Sequence, residues 1–102
     1  MTGSQFSTKV RIMKLRFTRH ALERMFQRGI SPGDCENVFR KGKVIEAYPE
    51  DKPFPSELRM AVVGENILHL VVCYENSVAH VITVYKPDPL LWENGFTKRR
   101  KK

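Results

Sequence analysis

The chain has 102 residues, 41% hydrophobic and 28% charged, with a net charge of +7, which fits one globular domain rather than a disordered segment. Its longest apolar run, Ile67–Tyr74, is broken by His69 and falls far short of the ~20 residues of a membrane span. The first residues lack an apolar signal core, and two cysteines make neither a disulfide framework nor a close-spaced metal motif; a reduced cytoplasmic setting is the expectation, with no membrane, metal or cofactor.

Residues 1–9 are small and polar and read as a flexible leader. Val10–Phe17 alternates well enough for a strand, with a slip in parity near Met13. Thr18 is placed to cap a helix running to Arg28, with Ala21, Leu22, Met25 and Phe26 as its apolar face and Gly29 as a left-handed stop. Ser31-Pro32-Gly33-Asp34 reads as a second helix start with a capping box. Cys35, Val38 and Phe39 form that helix's stripe, and Gly42 ends it.

After Gly42 the apolar period changes from helical to two. Lys43–Tyr48 is a strand, and the proline-rich stretch 49–55 cannot continue it. Leu58–Val63, Ile67–Tyr74 and Ala79–Tyr85 are further strands, separated by turns at Gly64-Glu65-Asn66 and Glu75-Asn76-Ser77. Asp88 and Pro89 are placed to open a short helix holding Leu90, Leu91 and Trp92. The pattern predicts an α+β domain over residues 10–97. An N-terminal helical hairpin packs on one face of a mainly antiparallel sheet of four to five strands, with a short C-terminal helix and a basic tail at 98–102. The sheet's other face is expected to be partly open.

Charge is unevenly spread. Residues 1–30 hold seven basic side chains and one acid, residues 31–97 hold six and ten, and the tail Lys98-Arg99-Arg100-Lys101-Lys102 is wholly basic. A basic surface attracts phosphates, acidic partners or anionic membranes, although a terminal basic run is most often only solvated. His20, Arg24 and Arg28 recur every four residues and form one stripe at the rim of the first helix's apolar face. That stripe suits proton transfer beside two phosphate-binding guanidinium groups; its plainer reading is a solvated basic face.

His69 lies within the central strand. If Leu68, Leu70 and Val72 face the helices, His69, Val71 and Cys73 face away. Ile82 and Val84 toward the helices would place Thr83 and Tyr85 beside His69, and Arg59 could join from the neighbouring strand. The bland counterpart is a packed, hydrogen-bonded histidine. Lys86 follows Tyr85 directly. Glu46 and Glu57 are possible bases that nothing in the spacing selects, and His80 sits beside a turn. Cys35 and Cys73 read as core residues. The chain carries no phosphate-binding glycine loop, no HExxH and no paired-cysteine motif.

Phe17-Thr18-Arg19-His20-Ala21-Leu22-Glu23-Arg24-Met25, with Arg28-Gly29-Ile30, resembles the opening motif of a small bacterial family known only as a domain of unknown function. Val44–Pro49 with Lys52–Ser56 is similar to its middle, and Val81–Trp92 to its end. The resemblance covers about residues 15–100. It implies a fold akin to the RelE toxins and the wider barnase–EndoU–colicin–RelE group, hence a toxin-like ribonuclease with a protein antitoxin of zinc-finger type. Gly33 and Cys35 are unusual fillers of the second helix. RelE toxins work with lysines, arginines and a tyrosine, so a histidine-bearing first helix departs from them and their catalytic residues do not transfer.

The combined expectation is a metal-independent endoribonuclease acting on RNA, ribosome-associated mRNA included, through a 2′,3′-cyclic phosphate. His20 and His69 are the acid–base candidates and Arg24 the phosphorane stabiliser. Arg28, Arg59, Thr83, Tyr85 and Lys86 are the substrate-binding candidates. The alternative is a non-catalytic module that binds nucleic acid or protein through the basic first helix.

Overall fold

The computed structural model describes residues 13–93 and 95–100. Strand β1 (Lys14–Phe17) leads into helices α1 (Arg19–Arg28) and α2 (Pro32–Lys41). Strands β2 (Lys43–Tyr48), β3 (Ser56–Val63), β4 (Asn66–Glu75) and β5 (Val78–Tyr85) follow, then two short strands, β6 (Trp92–Glu93) and β7 (Lys98–Arg99). The leader and the first three residues of the expected opening strand lie outside the described residues.

The helix ends follow from their sequence. The Thr18 hydroxyl accepts a bond from the Ala21 N–H at 3.0 Å, a cap worth about 1 kcal/mol. Ser31 and Asp34 bond each other's backbone N–H at 3.0 and 3.1 Å, completing the capping box that opens α2. Gly29 closes α1 in the left-handed region, at φ +66°. Gly42 ends α2 for a steric reason instead. A Cβ there would stand 2.4 Å from the Val38 carbonyl oxygen and 2.7 Å from that of Met60, so only glycine lets the helix end meet β3.

The main sheet has the order β1-β5-β4-β3-β2. β2 to β5 form an antiparallel meander, and β1 adds to β5 in parallel, from Lys14 opposite Val78 to Phe17 opposite Val81. The fold is therefore α+β with a mainly antiparallel five-stranded sheet. The helices lie mid-chain, between β1 and the meander, rather than opening the fold as a hairpin. α1 packs over β5, and α2 over β3 and β4. Of the apolar face expected for α1, only Ala21 and Met25 are buried; Leu22 is 49% and Phe26 89% exposed, because the stripe that meets the sheet is narrower than the run of apolar residues. Ala21, Met25, Ile30, Cys35, Val38 and Phe39 meet Leu68, Leu70, Val72, Ala79, Val81 and Val84 in one buried core. Each large side chain fully buried there contributes about 1.5–3 kcal/mol.

Two features depart from expectation. Val72 pairs with Val81, but its neighbour Val71 pairs with Thr83. Ile82 is the extra residue of a β-bulge. The bulge lets Val81 and Val84, three residues apart, both enter the core, and it moves Ile82 from the helix face to the opposite one. Secondly, no C-terminal helix forms among the described residues. The Leu91 and Trp92 N–H groups bond the Asp88 carbonyl at 2.9 and 3.2 Å, and the chain then reverses so that Trp92 pairs with Arg99 and Glu93 with Lys98. Lys98 and Arg99, expected in a solvated tail, are a strand instead. The drive is burial of the Trp92 side chain, which is 3% exposed, against the sheet face expected to stand open.

Candidate active site

Leu68 and Leu70 belong to the helix-side core, so alternation turns His69 to the other face. Tyr85 sits directly opposite it on β5. His69 is fully buried. Its Nε2 lies 2.8 Å from the Phe96 carbonyl oxygen and its Nδ1 3.3 Å from the Tyr85 hydroxyl. The Trp92 indole stands edge-on to the imidazole with ring centres 4.5 Å apart, and the Tyr85 ring is at 5.3 Å.

Chemistry fixes the direction of these bonds. A carbonyl oxygen only accepts, so Nε2 carries the hydrogen. Burial holds the His69 pKa below its ordinary 6.5, with the charge of Arg99 acting in the same sense. The ring is thus neutral at pH 7, and its Nδ1 lone pair receives the Tyr85 O–H. A directed chain results, from the Tyr85 hydroxyl through the imidazole to the Phe96 carbonyl.

Around this chain stand charged and phenolic groups. The Arg99 guanidinium lies over the Trp92 ring, 4.6 Å from its centre. Burial raises the Tyr85 pKa, while the Arg99 charge pulls it down and the Glu46 carboxylate pushes it up. Tyr48 donates to Glu46 Oε1; partial burial and that bond push the Tyr48 pKa up to about 12, against the pull of Arg99. Tyr48, Tyr85, Glu46 and Arg99 therefore share one electrostatic neighbourhood, with His69 behind Tyr85.

The structure brings together some of the expected residues and separates others. His69, Tyr85 and the half-buried Thr83 share the face away from the helices. His20 is exposed on α1, so the sheet lies between it and His69 and the two histidines do not converge. Its Nε2 accepts from Arg24 Nε at 3.4 Å, and Arg24 Nη1 donates to Gln27 at 3.0 Å. Arg28 reaches the sheet edge. β1 pairs with β5 only as far as Val81, and Arg28 Nη1 donates to the Val84 carbonyl beyond that point, at 2.7 Å. Lys86 is exposed near Gly29 and Ile30, on the helix side.

Arg59 does not join His69 as expected. Its partner across β3–β4 is Leu70, which puts it on the helix face rather than beside His69. It is 4% exposed, lies over the Phe39 ring at 5.6 Å, and donates to the Gly42 carbonyl at 3.0 Å and to Glu57 at 3.2 Å. Tyr74 also donates to Glu57. This network ties the end of α2 to the sheet.

Sequence reasoning missed Trp92, Phe96, Arg99 and Tyr48 as parts of the site. One signal pointed to the first three: Asn94-Gly95, between Trp92-Glu93 and Lys98-Arg99, is a dipeptide favoured in hairpin turns. Tyr48 carried no comparable signal.

A family described as a domain of unknown function, DUF4258, matches residues 17–86. The chain belongs to this family. The DUF4258 segment runs from the end of β1 past β5, so it includes His69 and Tyr85, while the hairpin with Trp92 and Arg99 lies beyond it. Neither a curated protein nor a solved structure matches the chain. Among the described residues, no helix is long and apolar enough to cross a membrane. Among them also, no group of three or more His, Cys, Asp or Glu side chains is placed to hold a metal ion.

Proposed function

We propose that this chain is an endoribonuclease of toxin type, the activity that its resemblance to the unknown-function family implies, and that Tyr85 rather than a histidine touches the substrate. The observation that carries this reading is the directed chain from the Tyr85 hydroxyl through neutral His69 to the Phe96 carbonyl, beside the Arg99 guanidinium. A buried histidine cannot reach RNA, but it can take a proton through a half-buried phenol. The ribose 2′-hydroxyl gives its proton to the Tyr85 oxygen as Tyr85 passes its own to His69 Nδ1. The 2′-oxygen attacks the adjacent phosphorus, the bond to the 5′-oxygen breaks, and that oxygen takes a proton from water. The products are a 2′,3′-cyclic phosphate and a free 5′-hydroxyl, and His69 later returns its proton to solvent.

Proton transfer of this kind contributes about 10²–10⁴-fold in rate. Arg99 faces the charge that grows on the phosphorane oxygens. Arg28 brings the α1 stripe to the β5 edge one residue from Tyr85, so Arg28, Arg24 and His20 serve flanking phosphates and Lys86 extends that surface. The resemblance adds ribosome-associated mRNA as substrate and a zinc-finger-type protein antitoxin as partner.

The test is cleavage of end-labelled RNA by the purified full chain. Tyr85→Phe and Arg99→Ala should each lose at least about 10²-fold in rate with an unchanged circular dichroism spectrum, whereas Arg24→Ala/Arg28→Ala should weaken binding. A second reading rests on the exposed His20–Arg24 pair, a phosphate-sized basic spot apart from Tyr85: a module that binds RNA without cutting it. Salt-sensitive binding of RNA that stays intact would favour that reading.

A further inference from the structure

A groove of about 240 Å³ opens on the same face as Tyr85. Pro53, Phe54, Val71, Cys73 and Ile82 form its apolar walls, and Asp51, Lys52 and Ser56 lie at its polar end. The groove exists because of two local features. The bulge turns Ile82 to this face, and the loop between β2 and β3 brings Pro53 and Phe54 over the strands. At its polar end the Ser56 hydroxyl donates to an Asp51 carboxylate oxygen at 2.6 Å, which holds an otherwise exposed acceptor in place.

The groove lies on the same sheet face as the candidate active site, a short step along the strands from it. Val71, one of its walls, is two residues from His69 along β4, about 7 Å at the rise of a strand. Thr83 lies opposite Val71 and Tyr85 opposite His69. On β5, Thr83 thus stands between Ile82 of the groove and Tyr85, a step comparable to one extended nucleotide. The volume is below the roughly 300–1,000 Å³ of small-molecule pockets, so it suits one ring system rather than a whole nucleotide. Its walls offer an aromatic face and branched aliphatic groups, and its polar end offers the Asp51 carboxylate, which only accepts hydrogen bonds when ionised, beside the Lys52 ammonium, which only donates and suits the guanine O6 next to N1–H.

We propose that this groove is the base subsite of the nucleotide adjoining the scissile phosphate, that it holds the base against Phe54, and that Asp51 selects guanine. Guanine presents two adjacent donors, N1–H and N2–H, to one carboxylate, whereas uracil presents a single N–H between two carbonyls that the carboxylate repels. The proposal rests on the ribonuclease reading for the meaning of the neighbouring phosphate, but base binding itself does not require cleavage.

The experiment is titration of the full chain with each of the four 3′-nucleoside monophosphates, followed by backbone amide NMR. 3′-GMP should bind tightest, with the largest shifts at Phe54, Val71 and Ile82. Phe54→Leu, which keeps an apolar side chain and so the fold, should weaken all four by about 5- to 150-fold, the range for loss of base–aromatic stacking. Asp51→Asn should cut the preference for 3′-GMP over 3′-UMP by about tenfold, within the range for a bidentate base contact. Equal binding of all four nucleotides, or shifts confined to α1, would overturn the proposal. Nucleotide binding in the groove with RNA left intact would support the subsite and defeat the ribonuclease reading. RNA cut at every step alike, by wild type, Phe54→Leu and Asp51→Asn equally, would defeat the subsite and leave that reading standing.

Discussion

His69 couples folding to proton uptake. Burial keeps its folded pKa below the ordinary 6.5, so the unfolded chain binds a proton that the folded chain resists. Stability is therefore fully present above about pH 6.5 and falls as the pH drops below it. Until the folded pKa is reached, the slope approaches about 1.4 kcal/mol per pH unit, a large share of the 5–15 kcal/mol typical of a domain. His69→Gln isolates the effect. Its amide can still donate toward the Phe96 carbonyl and accept from Tyr85, but it does not titrate. Loss of the ring against Trp92 should cost about 1–3 kcal/mol at pH 8. Urea unfolding at half-unit steps from pH 8 to 5 supplies the free energies. Wild type should lose stability toward acid faster than His69→Gln, and the two lines should converge. His20 and His80 are present in both proteins and cancel in the difference. Parallel lines would refute a buried neutral His69 donating to Phe96 and accepting from Tyr85.

Gly42→Ala should destabilise by about 1–3 kcal/mol in urea, because a Cβ would meet the Val38 and Met60 carbonyls. Thr18→Ala should cost about 1 kcal/mol through the missing cap of α1, read in the same assay. Arg24→Ala/Arg28→Ala should lower the slope of log affinity against log salt for single-stranded RNA by about 1.4, at roughly 0.7 for each phosphate no longer neutralised; an unchanged slope in a filter-binding series would remove α1 from the RNA surface. Arg59→Met should lower stability by removing the bonds to Gly42 and Glu57, with denaturation curves as the check.

What the sequence made legible is what short-range chemistry decides. Thr18, Gly29, the Ser31–Asp34 box and Gly42 bound two helices, and the change to alternating residues after Gly42 marks the meander. His69 pointing away from Leu68 and Leu70 also follows from parity alone. Parity fails where a strand gains a residue. The bulge at Ile82 depends on how β4 and β5 pair, so Ile82 is assigned to the wrong face without it. Arg59 fails for a related reason: its face depends on register with Leu70, and a buried arginine is acceptable there only because Gly42, Glu57 and Phe39 surround it. The C-terminal hairpin was the largest omission. Leu90-Leu91-Trp92 looks helical, and only Asn94-Gly95 pointed to a reversal that covers His69 and delivers Arg99.

The central claim is that Tyr85, backed by neutral His69, moves a ribose proton during strand cleavage. The most direct measurement is mass spectrometry of the ends left on a defined RNA by wild type and Tyr85→Phe, beside the same RNA with a single 2′-deoxy substitution at the cut. Wild type should leave a 2′,3′-cyclic phosphate and a 5′-hydroxyl, the 2′-deoxy site should stay whole, and Tyr85→Phe should make the same product at least about 10²-fold more slowly. Cleavage at the 2′-deoxy position, or a Tyr85→Phe protein as fast as wild type, would contradict it.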